Sequence, residues 1–384
     1  MTGMARIILG SYMVRYPLGG MLSWPLQWLV GLARLGHDVF FVEKSGYADS
    51  CYDPVQDVMS DDCAYGVATV NALLARFDLH DKWCFADAAG RYHGLSRQRI
   101  ADVFNSADLF IDMGTHGSWL DEAGRSGLRV LIDAEPAYTQ MKMEKRLALG
   151  ETLACYDHYY TVGCNIGTTR SSAPAAGRRW RHIFNPVVME LFRAEPLKPG
   201  AAFTTVMNWQ AHEPLEFEGR TYGQKDVEFE RFIDLPTLVR APLEVAVSGR
   251  NVPVRKLREC GWQIRDAHEV TVSVDSFSQY IRNSMGEFSV CKNVFSATNS
   301  GWFSDRSAAY LASWRPVVVQ DTGFGEELPC GAGLFACRTV AEAAAAIDTV
   351  CSDYERHSQS ARAIACEYLD APKVLGAFLR ELGI

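Results

Sequence analysis

Residues 296 to 335 carry the pattern that most restricts the fold. A polar turn, Thr298-Asn299-Ser300-Gly301, leads into helical spacing from about Ser304 to Ser313. An apolar run follows, Arg315-Pro316-Val317-Val318-Val319-Gln320, and then a second turn-rich segment, Asp321-Thr322-Gly323-Phe324-Gly325-Glu326-Glu327. A short run of consecutive β-branched residues between turn signals reads as a strand buried on both faces. Loop, helix, strand, loop is one unit of an α/β sheet. Both loops are then expected at the carboxyl edge of a parallel sheet, where such folds bind ligands.

The first loop has the chemistry of an anion site. The first N–H groups of a helix lack intrahelical partners and face the positive end of its dipole. Gly301 would let an anion approach the backbone, Ser300 and Ser304 offer hydroxyls, Asp305 suits the first turn, and Arg306 could reach a phosphate or an acid. A helix start capped by Ser304 explains the same residues without a ligand. Local chemistry leaves both readings open.

The rest of the chain repeats the alternation of strands and helices. Ala5 to Leu9 reads as a buried strand, and the loop after it carries Tyr12, Arg15 and Tyr16. A helix is expected from Leu22 to Leu35 and a strand from Val39 to Glu43, which makes a βαβ unit. Between Asp49 and Arg99 only a helix from Asp61 to Phe77 is firm. Further strands are expected at Ser106–Met113, Leu128–Asp133 and His158–Val162, ending near His116, Glu135 and Asn165 respectively. The basic cluster Arg178-Arg179-Trp180-Arg181-His182 reads as a solvated turn. Pro196 and Pro199 mark a break, after which strands at Phe203–Asn208, Leu243–Val247 and Phe288–Val290 alternate with helices again. The expectation is a doubly wound α/β protein with two domains.

Several segments are similar to those of GT-B glycosyltransferases. Ser300-Gly301-Trp302-Phe303-Ser304 resembles the SGWNS core of the nucleotide-sugar transferase signature. Tyr310 to Val318 resembles the EAMACGKPVV segment of retaining enzymes, and Asp321 to Glu327 the DVGGIPE loop that touches the donor sugar. Leu32 to Val39 resembles the start of GT-B proteins, and Phe184 to Phe192 the segment with which retaining members leave the first domain. Asn299 stands where the inverting signature has His, and Gly301 and Ala309 stand where the retaining pattern has paired glutamates. The resemblance therefore implies the fold and leaves retention or inversion open. The implied fold is two doubly wound Rossmann-like domains facing a cleft: an acceptor domain, residues 1–185, and a nucleotide-sugar domain, residues 186–384. A last helix, about 372–382, is expected to cross back.

The resemblance implies a metal-independent, Leloir-type transferase moving a sugar from a nucleoside diphosphate to an acceptor hydroxyl or amine. The leaving diphosphate needs cations or N–H dipoles, and an inverting reaction also needs a base. Arg250 and Lys292 follow strand ends of the second domain and are the expected catalytic cations. His116, set between glycines, and Glu135 are the expected catalytic residues of the acceptor side. Donor binding is assigned to Lys225, Gly249, Ser300, Gly301, Ser304, Asp305, Arg306, Asp321, Thr322, Gly323, Glu326 and Glu327. Acceptor binding is assigned to Tyr12, Arg15 and Tyr16.

Exclusions narrow the field. A net charge of −8 disfavours nucleic acid as the main partner. No GxGxxG and no P-loop motif occurs, so nicotinamide, flavin and nucleoside-triphosphatase readings weaken. The eleven cysteines lack CxxC or zinc-type spacing, which points to free thiols, no metal and a reducing, cytoplasmic setting. No run is long enough for a membrane span. The expected partners are a nucleotide-sugar donor and a small-molecule or glycan acceptor, and a homodimer is compatible with the sequence. The alternatives are a GT-B nucleotide-sugar epimerase and a non-catalytic sugar-nucleotide binder.

Overall fold

Ile7 and Leu9 point to one side of the strand Arg6–Gly10 and Ile8 to the other, and all three are fully buried. That strand is the centre of an eight-stranded sheet in the computed structural model, which describes residues 3–211 and 213–384. On one side of it lie Asp38–Lys44, Trp83–Ala86 and Tyr92–Gly94. On the other lie Leu109–Asp112, Leu128–Asp133, His158–Thr161 and Trp180–His182. All neighbours are parallel except the edge strand Tyr92–Gly94.

A second, six-stranded sheet repeats this plan with every strand parallel. Phe203–Asn208 is central, flanked by Leu243–Ser248 and Gln263–Asp266 on one side. Gly286–Ser289, Val317–Gln320 and Leu334–Cys337 lie on the other. Val318 joins the core on one face, Val317 and Val319 the core on the opposite face. A strand buried on both sides needs this unbroken apolar run.

In each sheet the first strand has its sequence successor on one side and a later strand on the other. The chain reverses direction across the sheet there and leaves a crevice at the carboxyl ends. The crevices open between Gly10 and Asp112 in the first sheet, and beyond Asn208 and Ser289 in the second.

Two crossings join the sheets, and they are paired. Val187 N–H donates to Leu369 O at 2.7 Å, and Ala371 N–H to Val187 O at 2.9 Å. The helix Ala371–Leu382 then lies on the first-domain core. Phe378 packs edge-on against Trp28 and Tyr160, with ring centres 5.8 and 5.1 Å away. Burying side chains such as Leu375, Phe378 and Leu379 contributes roughly 1.5–3 kcal/mol each. Gly31 permits the approach, since an added Cβ would meet the Ala371 Cβ at 3.0 Å.

The basic cluster at 178–182 is not a solvated turn. Trp180–His182 is an edge strand, Trp180 is buried against Tyr159, and Arg181 bonds the Tyr160 hydroxyl. The Arg178 and Arg181 guanidinium groups lie over the Tyr159 and Tyr160 rings, 5.3 and 5.7 Å from their centres, which helps so basic a segment to pair with the sheet. Among the described residues, no helix is long and apolar enough to cross a membrane.

Candidate active site

The crevice of the second sheet is lined by three cations from three helix starts. Lys225 begins the helix Lys225–Glu230, Lys292 caps Asn293–Ala297, and Arg306 is the second residue of Asp305–Ala312. Each helix begins at the carboxyl edge, so the alternation of the fold places these side chains together.

Their environments differ. Arg306 is mostly buried, and each of its guanidinium nitrogens is engaged: Nε donates to Glu287 Oε1 at 2.8 Å, Nη1 to Val206 O at 2.7 Å and Nη2 to Ser289 Oγ at 3.0 Å. Lys292 Nζ meets Glu135 Oε2, from the first domain, at 2.5 Å. The Lys292 ammonium also lies 5.7 Å from the Tyr138 ring centre. Lys225 has no hydrogen-bond or ion-pair partner among the described residues. It keeps some solvent contact but is densely surrounded. Burial first, then the charges of Arg306 and Lys292, pull its amine down to about 7.

The first domain supplies the facing wall. Asp133 is buried, and its carboxylate accepts hydrogen bonds from Thr139 Oγ1 at 2.6 Å, Gln140 Nε2 at 2.8 Å and the Glu135 N–H at 2.9 Å. These bonds shape the loop that presents Glu135 and Tyr138. Tyr12 leaves the central strand next to Gly114, where any Cβ would collide with its ring. Its hydroxyl is pushed well above the ordinary range by burial, then by the carboxylates of Glu135 and Asp305. Asp305 is likewise pushed up by burial, and Ser304 Oγ lies 3.3 Å from its Oδ1. Ser304 caps its helix by accepting the Arg306 N–H at 3.2 Å. Tyr12, Glu135, Lys225, Lys292, Asp305 and Arg306 thus form one cluster across the two domains.

Other expected site residues have different surroundings. Gly301 is not an open approach for an anion, because it is buried at the domain contact. With φ +76°, an added Cβ would lie 2.8 Å from Asn165 N and 2.9 Å from Cys164 N. The Gly301 N–H bonds Thr322 O at 2.6 Å, and Ser300 O accepts from Asn165 N at 3.1 Å. Close packing of two backbones is the reason for glycine here. Arg306 is likewise no free phosphate arm, because its guanidinium is held by Glu287, Val206 and Ser289.

The segment 321–327 is engaged in joining parts of the chain. Asp321 pairs with Arg338 at 2.8 Å, and Thr322 Oγ1 donates to Trp302 O at 2.6 Å. Gly323 sits between Asn165 and Asn299, and Glu326 and Glu327 reach Arg170 of the first domain at 3.5 and 3.7 Å. Arg250 is exposed and pairs with Glu213 at 2.8 Å, while Gly249 packs on the Asn208 side chain. Arg15 is bonded to Glu43 at 3.1 Å, and the Tyr16 hydroxyl to that of Tyr47 at 3.1 Å. His116 is exposed on a turn that Asp112 anchors by accepting the Thr115 and Gly117 N–H groups at 2.7 and 2.9 Å. Sequence reasoning missed Asp133, Tyr138, Glu287 and Ser289, whose roles depend on contacts distant in the chain.

No protein-family model matches the chain, and no curated protein does. Solved structures do match along the whole length. Anabaena HepE in complex with UDP and glucose is 13% identical, with 99% of each chain covered and a TM-score of 0.56. An alpha-glucosyltransferase in complex with UDP and a 13-mer DNA is 10% identical, with 100% of each chain covered and a TM-score of 0.58. A glycosyltransferase from Rickettsia africae ESF-5 is 11% identical, covers 99% of this chain and 98% of its own, and has a TM-score of 0.55. Two doubly wound domains with facing crevices, matched end to end by these structures, give the chain the GT-B fold.

Proposed function

We propose that the cleft transfers a sugar from a nucleoside-diphosphate sugar to an acceptor hydroxyl or amine. The observation that carries this reading is Lys225, a cation crowded by two others with no anion of its own. Two neighbouring cations and no carboxylate of its own make the protonated amine unfavourable, and a diphosphate would supply the missing partner. UDP is the nucleotide to test first, since the similar HepE and alpha-glucosyltransferase structures hold it.

In this reading Lys225 and Lys292 take the negative charge that develops on the leaving diphosphate, so the transfer needs no metal ion. Arg306, fixed by Glu287, holds the positive field in place without touching the ligand. Preorganised charge of this kind acts most strongly in the transition state. As Lys292 turns to the diphosphate, it releases the Glu135 carboxylate from their ion pair. The carboxylate is then poised to accept the proton of the acceptor nucleophile, with Tyr12 and Tyr138 packing beside the acceptor. The net charge of −8 favours a small molecule or glycan over nucleic acid as that acceptor. The eleven unpaired cysteines favour a reducing compartment.

The test is UDP release from UDP-sugars with and without acceptor pools, in the wild type and Lys225→Ala. Acceptor-dependent release that falls in the variant supports transfer. Binding without release would leave a sugar-nucleotide binder, and epimerised donor without release an epimerase.

A further inference from the structure

Cys63, Asp87 and His93 are separated in the chain and meet at the outer part of the first domain. Cys63 immediately precedes the helix Ala64–Ala75. Asp87 follows the strand Trp83–Ala86, and His93 lies in the antiparallel strand that pairs with it. His93 Nε2 is 3.6 Å from Cys63 Sγ and 3.0 Å from Asp87 Oδ2, and the three donor atoms lie within 4.8 Å of one another. Sulfur and nitrogen ligands of one tetrahedral zinc ion stand about 3.6 Å apart, given bonds of ~2.3 and ~2.0 Å. The apo geometry already has that separation.

Both contacts fall on the same ring nitrogen. A nucleophile relay needs the thiol on one imidazole nitrogen and the carboxylate on the other. Convergence of sulfur, nitrogen and oxygen beside a single nitrogen suits a shared metal instead. The carboxylate is held ready: Asp87 Oδ1 accepts the Ala89 and Arg91 N–H groups at 3.0 and 2.9 Å, and Arg91 Nε donates to Oδ2 at 2.8 Å. Outer hydrogen bonds of this kind orient metal ligands. A groove of about 620 Å³, lined by Asp62, Val67, Asn71, Trp83 and Arg91, gives access and room for a water.

We propose that Cys63, Asp87 and His93 form a site for one zinc-type divalent ion, with water as the fourth ligand. The thiol proton leaves to solvent on binding, and His93 binds through Nε2 with its proton on Nδ1. The site shares no residue with the transfer cleft. It ties the edge strands to the start of a helix whose Gly66 packs on the Val14 backbone, in the loop that also carries Tyr12. The sequence spacing gave no sign of it, because the ligands come from three separate elements.

The test uses the full-length protein, stripped with a chelator under reducing conditions and titrated with Co²⁺. The expected result is one equivalent bound, with visible bands of tetrahedral cobalt and a thiolate-to-cobalt charge-transfer band, both abolished by Zn²⁺. Zinc should also raise Tm. Cys63→Ser should lose the charge-transfer band and His93→Gln the tight binding, while Cys155→Ser, at an exposed cysteine, should change neither. Absence of the band in the wild type, or its survival in Cys63→Ser, overturns the proposal. If circular dichroism shows Cys63→Ser unfolded, His93→Gln decides: unchanged stoichiometric binding there overturns it equally.

Discussion

Lys292 of the second domain and Glu135 of the first form an ion pair of 2.5 Å across the cleft. The pair links the two walls and neutralises two groups assigned to opposite substrates. Lys292→Ala is expected to lower kcat by about 10²–10³, the usual effect of removing one donor from a developing anion. Glu135→Gln is expected to lower kcat while leaving UDP affinity nearly unchanged. The double variant should lose less than the sum of the two, because the residues are coupled. Steady-state kinetics with calorimetry checks each outcome, and additive losses would separate the two roles.

Gly301→Val is expected to destabilise the protein as a whole. A left-handed φ costs a branched residue about 1–2 kcal/mol, and the added carbon must also displace the Cys164 and Asn165 backbone. Urea unfolding should show a midpoint lowered by more than the strain alone accounts for. A stable variant with weakened UDP binding would restore an anion-facing role for this glycine.

Nucleotide binding should depend on pH through Lys225. Its amine titrates at about 7 in the ligand-free protein, because of burial and then Arg306 and Lys292. Above that pH a diphosphate must bind together with a proton, so affinity should fall by up to about tenfold per pH unit. Lys225→Ala should flatten this slope, as calorimetry between pH 6 and pH 9 would show. The sign for stability is opposite to that of a paired lysine. The folded value lies below the ordinary 10.5, so the unfolded chain binds more protons between about 7 and 10.5. This group's penalty on the ligand-free fold therefore shrinks as pH rises through that window.

Much of the architecture was legible because short segments rich in apolar and β-branched residues, bounded by turn residues, read as strands. Leu128–Asp133 and Phe203–Asn208 have the expected bounds, and Val317–Gln320 differs only at its start. The strands Trp83–Ala86, Gln263–Asp266 and Leu334–Cys337 were missed: WCFA and LFAC lack β-branched residues, and QIRD is mostly polar and exposed. The site was harder to read. Gly301 before a helix looks the same locally whether it faces a ligand or another domain. Arg306 looks free until Glu287 and Ser289 are placed beside it. Lys225 becomes distinctive only when two other helix starts bring their cations against it, a fact of topology and not of spacing.

The most direct measurement is the calorimetric affinity of UDP for the wild type and for Lys225→Ala at pH 6.5, where the wild-type amine is mostly protonated. The account expects binding at least about tenfold weaker in the variant, or ~1.4 kcal/mol, with an unchanged fold by circular dichroism. Equal affinity in a folded Lys225→Ala would contradict it, because the diphosphate would then lie away from the crevice at Lys225, Lys292 and Arg306.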